Sequence, residues 1–217
     1  MKVFVETANL QQIREAQEMG LLDGISTSAS LLAQEGIVGY EGMMRHYSTI
    51  CNDFECDVMA DVVANDFEGM IMEGQALSAL HYQIVVKIPA TRQGVMAIKF
   101  LADKGIRTCA SLVYSLGQAV WAAKAGASYV APLVSSVDDV SGNGIALVRQ
   151  ILESFAKYRV NTEVLAGSVR NIKQITNCIE ASADGVIVTP ELAYALLDNP
   201  LTEIGLSKFL DDFNRLN

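Results

Sequence analysis

Lys87 sits inside the run Gln83-Ile84-Val85-Val86-Lys87-Ile88-Pro89-Ala90-Thr91, an ammonium group in an otherwise apolar, β-branched stretch. Burying a charge there is costly unless it is paired or its pKa falls. A lysine whose pKa is lowered by burial is the usual amine nucleophile that makes Schiff bases. The competing reading is a lysine that snorkels from a strand end into water. Histidine chemistry has little material, since His46 and His81 are the only two histidines. Cys51 and Cys56 form a C-x4-C pair, but no second pair or nearby histidine completes a zinc site. Cys109 and Cys178 read as small buried hydrophobes. No metal and no cofactor are expected.

The other candidates depend on the elements that place them. Eight short β-rich runs, at 2–7, 24–27, 56–62, 83–89, 106–113, 129–134, 163–169 and 185–189, alternate with helical patterns. Their starts lie 22 to 34 residues apart, about one βα unit each. Ile84-Val85-Val86 and Val186-Ile187-Val188 are apolar on both faces, as in parallel strands buried on both sides. The pattern predicts an α/β fold, a (β/α)8 TIM barrel as one domain over 1–217. A doubly wound open sheet is the alternative, but the first strand runs into Thr7-Ala8-Asn9 without a glycine-rich dinucleotide turn. Helix starts are legible as capping boxes at Asn9 with Gln12, ahead of Leu10, Ile13 and Met19, and at Asn171 with Gln174. Thr91 reads as a cap, and Thr189-Pro190 and Asn199-Pro200 as caps followed by proline. An extra C-terminal helix over 200–217 carries the stripe Leu206, Phe209, Leu210, Phe213 and Leu216. It either closes the base of the barrel or packs on a neighbouring subunit.

The 217 residues are 51% hydrophobic, enough for a sizeable core. No run approaches the length of a membrane helix, and the first residues lack the pattern of a signal peptide. A cytoplasmic protein is expected. A net charge of -9 without a basic stripe argues against nucleic acid as a partner.

Barrel function gathers at the C-terminal strand ends. Those ends supply Glu6, Thr7, Thr27, Ser28, Asp61, Lys87, Ser111, Leu133, Ser135, Ser136, Ser168, Arg170 and Thr189. Strand alternation puts Val85, Lys87 and Pro89 on one face. An inward Lys87 beside Glu6, Asp61, Thr27 and Ser111 is either a structural ion pair or a Schiff-base site. Glu6 reads equally as an acid neutralising Lys87, and Asp61 as a cap of the following segment. Arg170, near Ser168 and the Asn171 helix start, is either a solvated charge or a phosphate ligand.

Over essentially its whole length the chain resembles the transaldolase and fructose-6-phosphate aldolase family. Val85-Val86-Lys87-Ile88-Pro89-Ala90-Thr91 is similar to the family's fourth strand, whose lysine forms the Schiff base. Val5-Glu6-Thr7-Ala8-Asn9 resembles its first strand. Tyr129-Val130-Ala131-Pro132, with the loop Ser141-Gly142-Asn143-Gly144, resembles its sixth. Leu165-Ala166-Gly167-Ser168 with Arg170 resembles its seventh, whose serine and basic residue bind substrate phosphate. The departures surround the amine. Glu6 replaces an aspartate, Ser28 an asparagine, and Asp61 a glutamate or glutamine. Ser111 replaces a threonine, Leu133 an aromatic residue, and Ser136 a phosphate-clamping arginine.

The resemblance implies a metal-free, class I aldolase or transaldolase acting on a sugar or sugar phosphate, without nucleic-acid or membrane partners. Lys87 is then the nucleophile, Asp61 and Ser111 the proton relay, and Glu6 a holder of hydroxyl groups that tunes Lys87. Thr27 and Ser28 contact the donor hydroxyls, Ser168 and Arg170 hold an acceptor phosphate if there is one, and Ser135 is a further substrate-binding residue. The loss of the clamping arginine implies weaker phosphate binding, or an unphosphorylated or differently shaped substrate. A homo-oligomeric ring is also implied, with a decamer as one size. The alternative is a catalytically weak or inactive barrel that binds a sugar phosphate or serves as a structural oligomer. A phosphate-binding isomerase ranks last, since such enzymes rely on a Glu/His pair and neither histidine falls at a strand's C-terminal end.

Overall fold

A computed structural model describes residues 1–216 of the chain. In order, the elements are β1 (Lys2–Glu6), α1 (Leu10–Glu18), β2 (Gly24–Ser26), α2 (Ala29–Gln34), α3 (Gly39–Asp53), β3 (Asp57–Asp61), α4 (Phe67–Ser78), β4 (Ile84–Pro89), α5 (Arg92–Asp103), β5 (Thr108–Val113), α6 (Leu116–Lys124), β6 (Tyr129–Pro132), α7 (Val134–Asp138), α8 (Gly144–Tyr158), β7 (Glu163–Ala166), α9 (Ile172–Glu180), β8 (Gly185–Val188), α10 (Pro190–Ala195) and α11 (Pro200–Asn214). The eight strands close on themselves in sequence order, every pairing parallel, so the fold is a (β/α)8 TIM barrel with an extra C-terminal helix.

Period-2 alternation divides the apolar residues into two cores. Phe4, Met59, Val85, Cys109, Ala131, Leu165 and Ile187 fill the barrel's interior. Ile84, Val86 and Ile88 of the same β4 belong to the larger core under the helices, with Ile98 and Leu101 of α5. Each such side chain removed from water contributes roughly 1.5–3 kcal/mol.

The first residues of the strands form a polar plug across the N-terminal end. Lys2 Nζ lies 2.6 Å from Glu163 Oε2. Tyr129 Oη donates to Asp57 Oδ2 at 2.8 Å, and Arg107 Nη1 donates to both Asp57 oxygens at 2.7 and 2.8 Å. The base is therefore closed by these side chains rather than by α11. None of α11's residues is buried, and Leu206, Phe209, Leu210, Phe213 and Leu216 are 58 to 84% exposed.

Thr91, Asn171, Thr189 and Asn199 cap α5, α9, α10 and α11 as their sequence positions imply. The two capping boxes do not close. Asn9 accepts from the N–H groups of Gln11 and Gln12, but its own N–H donates to Thr7 Oγ1 at 3.1 Å, and Gln12 bonds that hydroxyl instead. Gln174 likewise reaches the N–H of Arg170, not of Asn171. Met19 ends α1 as its cap and is exposed. The expected strands at 129–134 and 163–169 stop at Pro132 and Ala166. Beyond them Leu133 makes one isolated bridge to Gly167 before α7 begins, and Ser168 turns to a φ of 52°.

Gly94 shows how closely α5 sits on the strand that carries Lys87. A Cβ there would meet the carbonyl oxygen of Pro89 at 1.9 Å. Gly94→Ala is expected to destabilise the barrel by about 1–3 kcal/mol. Gly117→Ala in α6, where a Cβ meets nothing within 4 Å, should be neutral or stabilising by up to about 1 kcal/mol. Urea denaturation of the two variants side by side measures the contrast.

Candidate active site

Every strand delivers its last residue to one end of the barrel, and the inward ones surround a cavity of about 340 Å³. Lys87 stands in its floor with its side chain 12% exposed. Parallel register puts Asp61 of β3 directly beside it. The ammonium lies 3.3 Å from Asp61 Oδ1 and donates to the main-chain oxygen of Thr27 at 3.0 Å and to Ser26 Oγ at 3.4 Å. Its three protons thus have three acceptors, all on the β2–β3 side. Lys87 is an inward lysine with partners, not one that snorkels away from the core.

Glu6 enters the same cavity from β1. It forms no ion pair with Lys87 within 4 Å among the described residues, so the acid that neutralises the ammonium is Asp61. Burial pushes the carboxyl of Glu6 above its ordinary value, Lys87 opposes that shift, and Asp61 adds to it. Burial likewise raises Asp61, against the pull of Lys87. Asp66, not Asp61, caps α4. Behind Asp61 lies the fully buried Tyr47 of α3, its phenol raised by burial and then by the nearby Asp61 charge. Cys109, paired with Lys87 across β4 and β5, is held up to about 12 by burial and stays a thiol.

Ser111 reaches the cavity through an irregular β5. The register with β6 shifts between Ala110 and Val113, and Leu112 takes a φ of 53°. A bulge lets two successive residues face the same way, and both Ser111 and Leu112 line the cavity. Ser168 lines it from β7's end, its Oγ 3.4 Å from that of Ser136.

The remaining candidates stand elsewhere. Thr27 is fully buried and offers Lys87 its carbonyl, while its hydroxyl is among the buried groups without a hydrogen-bond partner. Ser28 caps α2 by accepting from the N–H of Leu31. Ser135 is buried and donates to Gln174 Oε1 at 3.0 Å. Arg170 is 58% exposed and pairs with Asp139, Nη1 to Oδ2 being 2.8 Å. His46 bonds the carbonyl of Ala8 at 2.8 Å and is structural. Leu112 and Ile187 line the cavity without having been read as site residues, and two polar residues escaped the same reading. Ser26 pairs with Glu6 in register and faces the cavity; the same alternation that turned Lys87 inward could have found it. Gln174 ties together Ser135, Arg170 N and Asp138, and no local pattern signals that.

The raised Glu6 carboxyl has a consequence for stability. The folded chain keeps this proton at pH values where the unfolded chain has lost it. Stability therefore falls as pH rises from the ordinary carboxylate range through the raised value, and the penalty is complete above it. Glu6→Gln removes the penalty. Its melting temperature should exceed that of the parent at pH 7.5, and the gain should shrink toward pH 4, as thermal denaturation at both values will read.

Comparison with known proteins agrees with this geometry. The sequence model of the family described as Transaldolase/Fructose-6-phosphate aldolase matches residues 3–216. A protein of Porphyromonas gingivalis named probable transaldolase is 52% identical over 217 residues, covering 100% of this chain and 99% of that one. Proteins of the same name from Phocaeicola vulgatus and Flavobacterium psychrophilum are 50% and 46% identical, each alignment covering both chains in full. The chain belongs to the transaldolase/fructose-6-phosphate aldolase family.

Proposed function

We propose that the chain is a class I enzyme that breaks or makes a carbon–carbon bond of a ketose, in the manner of fructose-6-phosphate aldolase or transaldolase, through an imine on Lys87. The observation that carries this reading is the Lys87 ammonium in the cavity floor, 3.3 Å from Asp61. The nucleophile is the free amine, so its proton must leave. Two carboxyls raised by burial, Asp61 and Glu6, stand ready to take it. The amine adds to the donor's ketone carbon, and the carbinolamine loses its hydroxyl as water to leave an iminium ion. That ion draws in the electron pair of the bond between the third and fourth carbons. The fourth carbon's hydroxyl gives up its proton to Asp61, directly or through Ser111 and a water. An aldehyde departs and an enamine remains. Protonation and hydrolysis release a small ketone in an aldolase; capture by a second aldehyde makes a transaldolase.

Ser26 and Glu6 face the donor's hydroxyl groups in this scheme. Thr27 serves through its carbonyl, and Ser28 through the start of α2. Sugar and sugar-phosphate donors fit the class. The acidic composition and the family suit a cytoplasmic enzyme of carbohydrate metabolism, and no helix among the described residues is long and apolar enough to cross a membrane. The bare apolar face of α11 suits a homo-oligomer in which a second copy covers it. A second reading, an inactive barrel, draws on the engagement of Arg170 by Asp139.

The two readings part on a covalent test. Borohydride added with dihydroxyacetone or fructose 6-phosphate should leave a mass adduct on Lys87, and Lys87→Met should lose both adduct and turnover. No adduct with any small hydroxyketone leaves the inactive barrel as the answer. Asp61→Asn should still form the adduct, more slowly, while turnover falls roughly 10²- to 10⁴-fold, the usual contribution of a positioned acid–base group. Single-turnover and steady-state rates compared on that variant separate the two effects.

A further inference from the structure

The cavity around Lys87 has two unlike halves. From β1, β2 and β3 it receives Glu6, Ser26 and Asp61, which can hold hydroxyl groups. From β5, the residue just past β6, and β8 it receives Leu112, Leu133 and Ile187, an apolar wall with the hydroxyls of Ser111 and Ser168 at its edge. Lys87 of β4 stands between them and is the one cation among the described residues lining the cavity. Two carboxyls therefore face one ammonium. At the positions that the family resemblance gives to substrate phosphate, Ser136 and Ser168 offer neutral hydroxyls to each other at 3.4 Å. Arg170 lines no part of the cavity, and its exposed guanidinium pairs with Asp139 through Nη1. Asp138 beside it is taken up by Gln174 and the N–H of Gly144. A phosphate dianion entering here meets like charge without a guanidinium to offset it.

Leu112 points the same way independently. A leucine at a φ of 53° is held against its own preference, and such strain persists only where the surroundings enforce it. What the strain achieves is an apolar side chain on the cavity wall.

From these observations we infer that the aldehyde partner of this enzyme is a neutral, short-chain aldehyde whose tail rests on Leu112 and Leu133, not a phosphorylated one. The inference builds on the Schiff-base reading of Lys87. In the bond-forming step the nucleophilic carbon of the enamine joins the aldehyde's carbonyl carbon. The aldehyde oxygen takes a proton from the Asp61 carboxyl, and the enamine nitrogen becomes an iminium. Water then hydrolyses that iminium, returning the product ketone and the free Lys87 amine.

The experiment supplies dihydroxyacetone as donor and compares kcat/KM for propanal, glyceraldehyde and glyceraldehyde 3-phosphate. Glyceraldehyde and its phosphate differ only in the charged group, and propanal tests the apolar wall alone. Both neutral aldehydes are expected to be used at least tenfold more efficiently than the phosphorylated one. A smaller preference, a reversed one, or an adduct on Lys87 without bond formation to any of the three overturns the inference. Borohydride capture run in parallel keeps the outcomes apart: an adduct together with a preference for phosphate sinks only the acceptor assignment, whereas no adduct sinks the Schiff-base reading and the acceptor with it.

Discussion

A cation held inside an apolar barrel constrains everything around it. Taking an ion out of water costs on the order of several kcal/mol, and the loss is offset only if partners lie close and well placed. Lys87 meets that condition with a carboxylate, a main-chain oxygen and a hydroxyl, all from β2 and β3. Those three contacts tie the end of β2 and β3 to the amine on β4. They also leave the other side of the ammonium facing the cavity. Asp61 does this with one methylene less than the glutamate or glutamine of the family pattern, and the parallel register brings its carboxylate to 3.3 Å all the same.

The two ends of the barrel use charge in opposite ways. At the N-terminal end Lys2, Asp57, Arg107, Tyr129 and Glu163 satisfy one another and fill the space. At the C-terminal end Glu6 and Asp61 are buried with less compensation, which is why both carboxyls rise. Charges are satisfied at one end and left less compensated at the other, the end where function gathers in this architecture. The left-handed residues Leu112 and Ser168 belong to the C-terminal end as well, and strain is commonly retained where it serves function.

Much of this was legible along the chain because it depends on short-range periodicity. Runs such as Ile84-Val85-Val86 announce strands buried on both faces, and alternation alone turns Lys87, Asp61 and Glu6 inward. The same alternation placed Thr27 and Ser28 near the amine but could not say which atoms they would present. Thr27 contributes a carbonyl, and the Ser28 side chain is spent on a helix start. Arg170 was readable as a phosphate ligand or a solvated charge. Its partner Asp139 lies 31 residues away, on a loop whose course local pattern does not specify. The role of α11 stayed open for a similar reason: an apolar stripe says that a helix will be covered, not by what.

The sequence by itself determined the eight βα units, the barrel they make and the inward amine, because hydrophobic period and strand alternation act between near neighbours. Only the tertiary structure decided which acid pairs with Lys87, that the base is sealed by a polar plug, that Leu112 is forced onto the cavity wall, and that Arg170 is engaged outside it. Those outcomes depend on strand register, a bulge and contacts between distant segments, and closure of the barrel is what brings such groups within a few ångströms of one another.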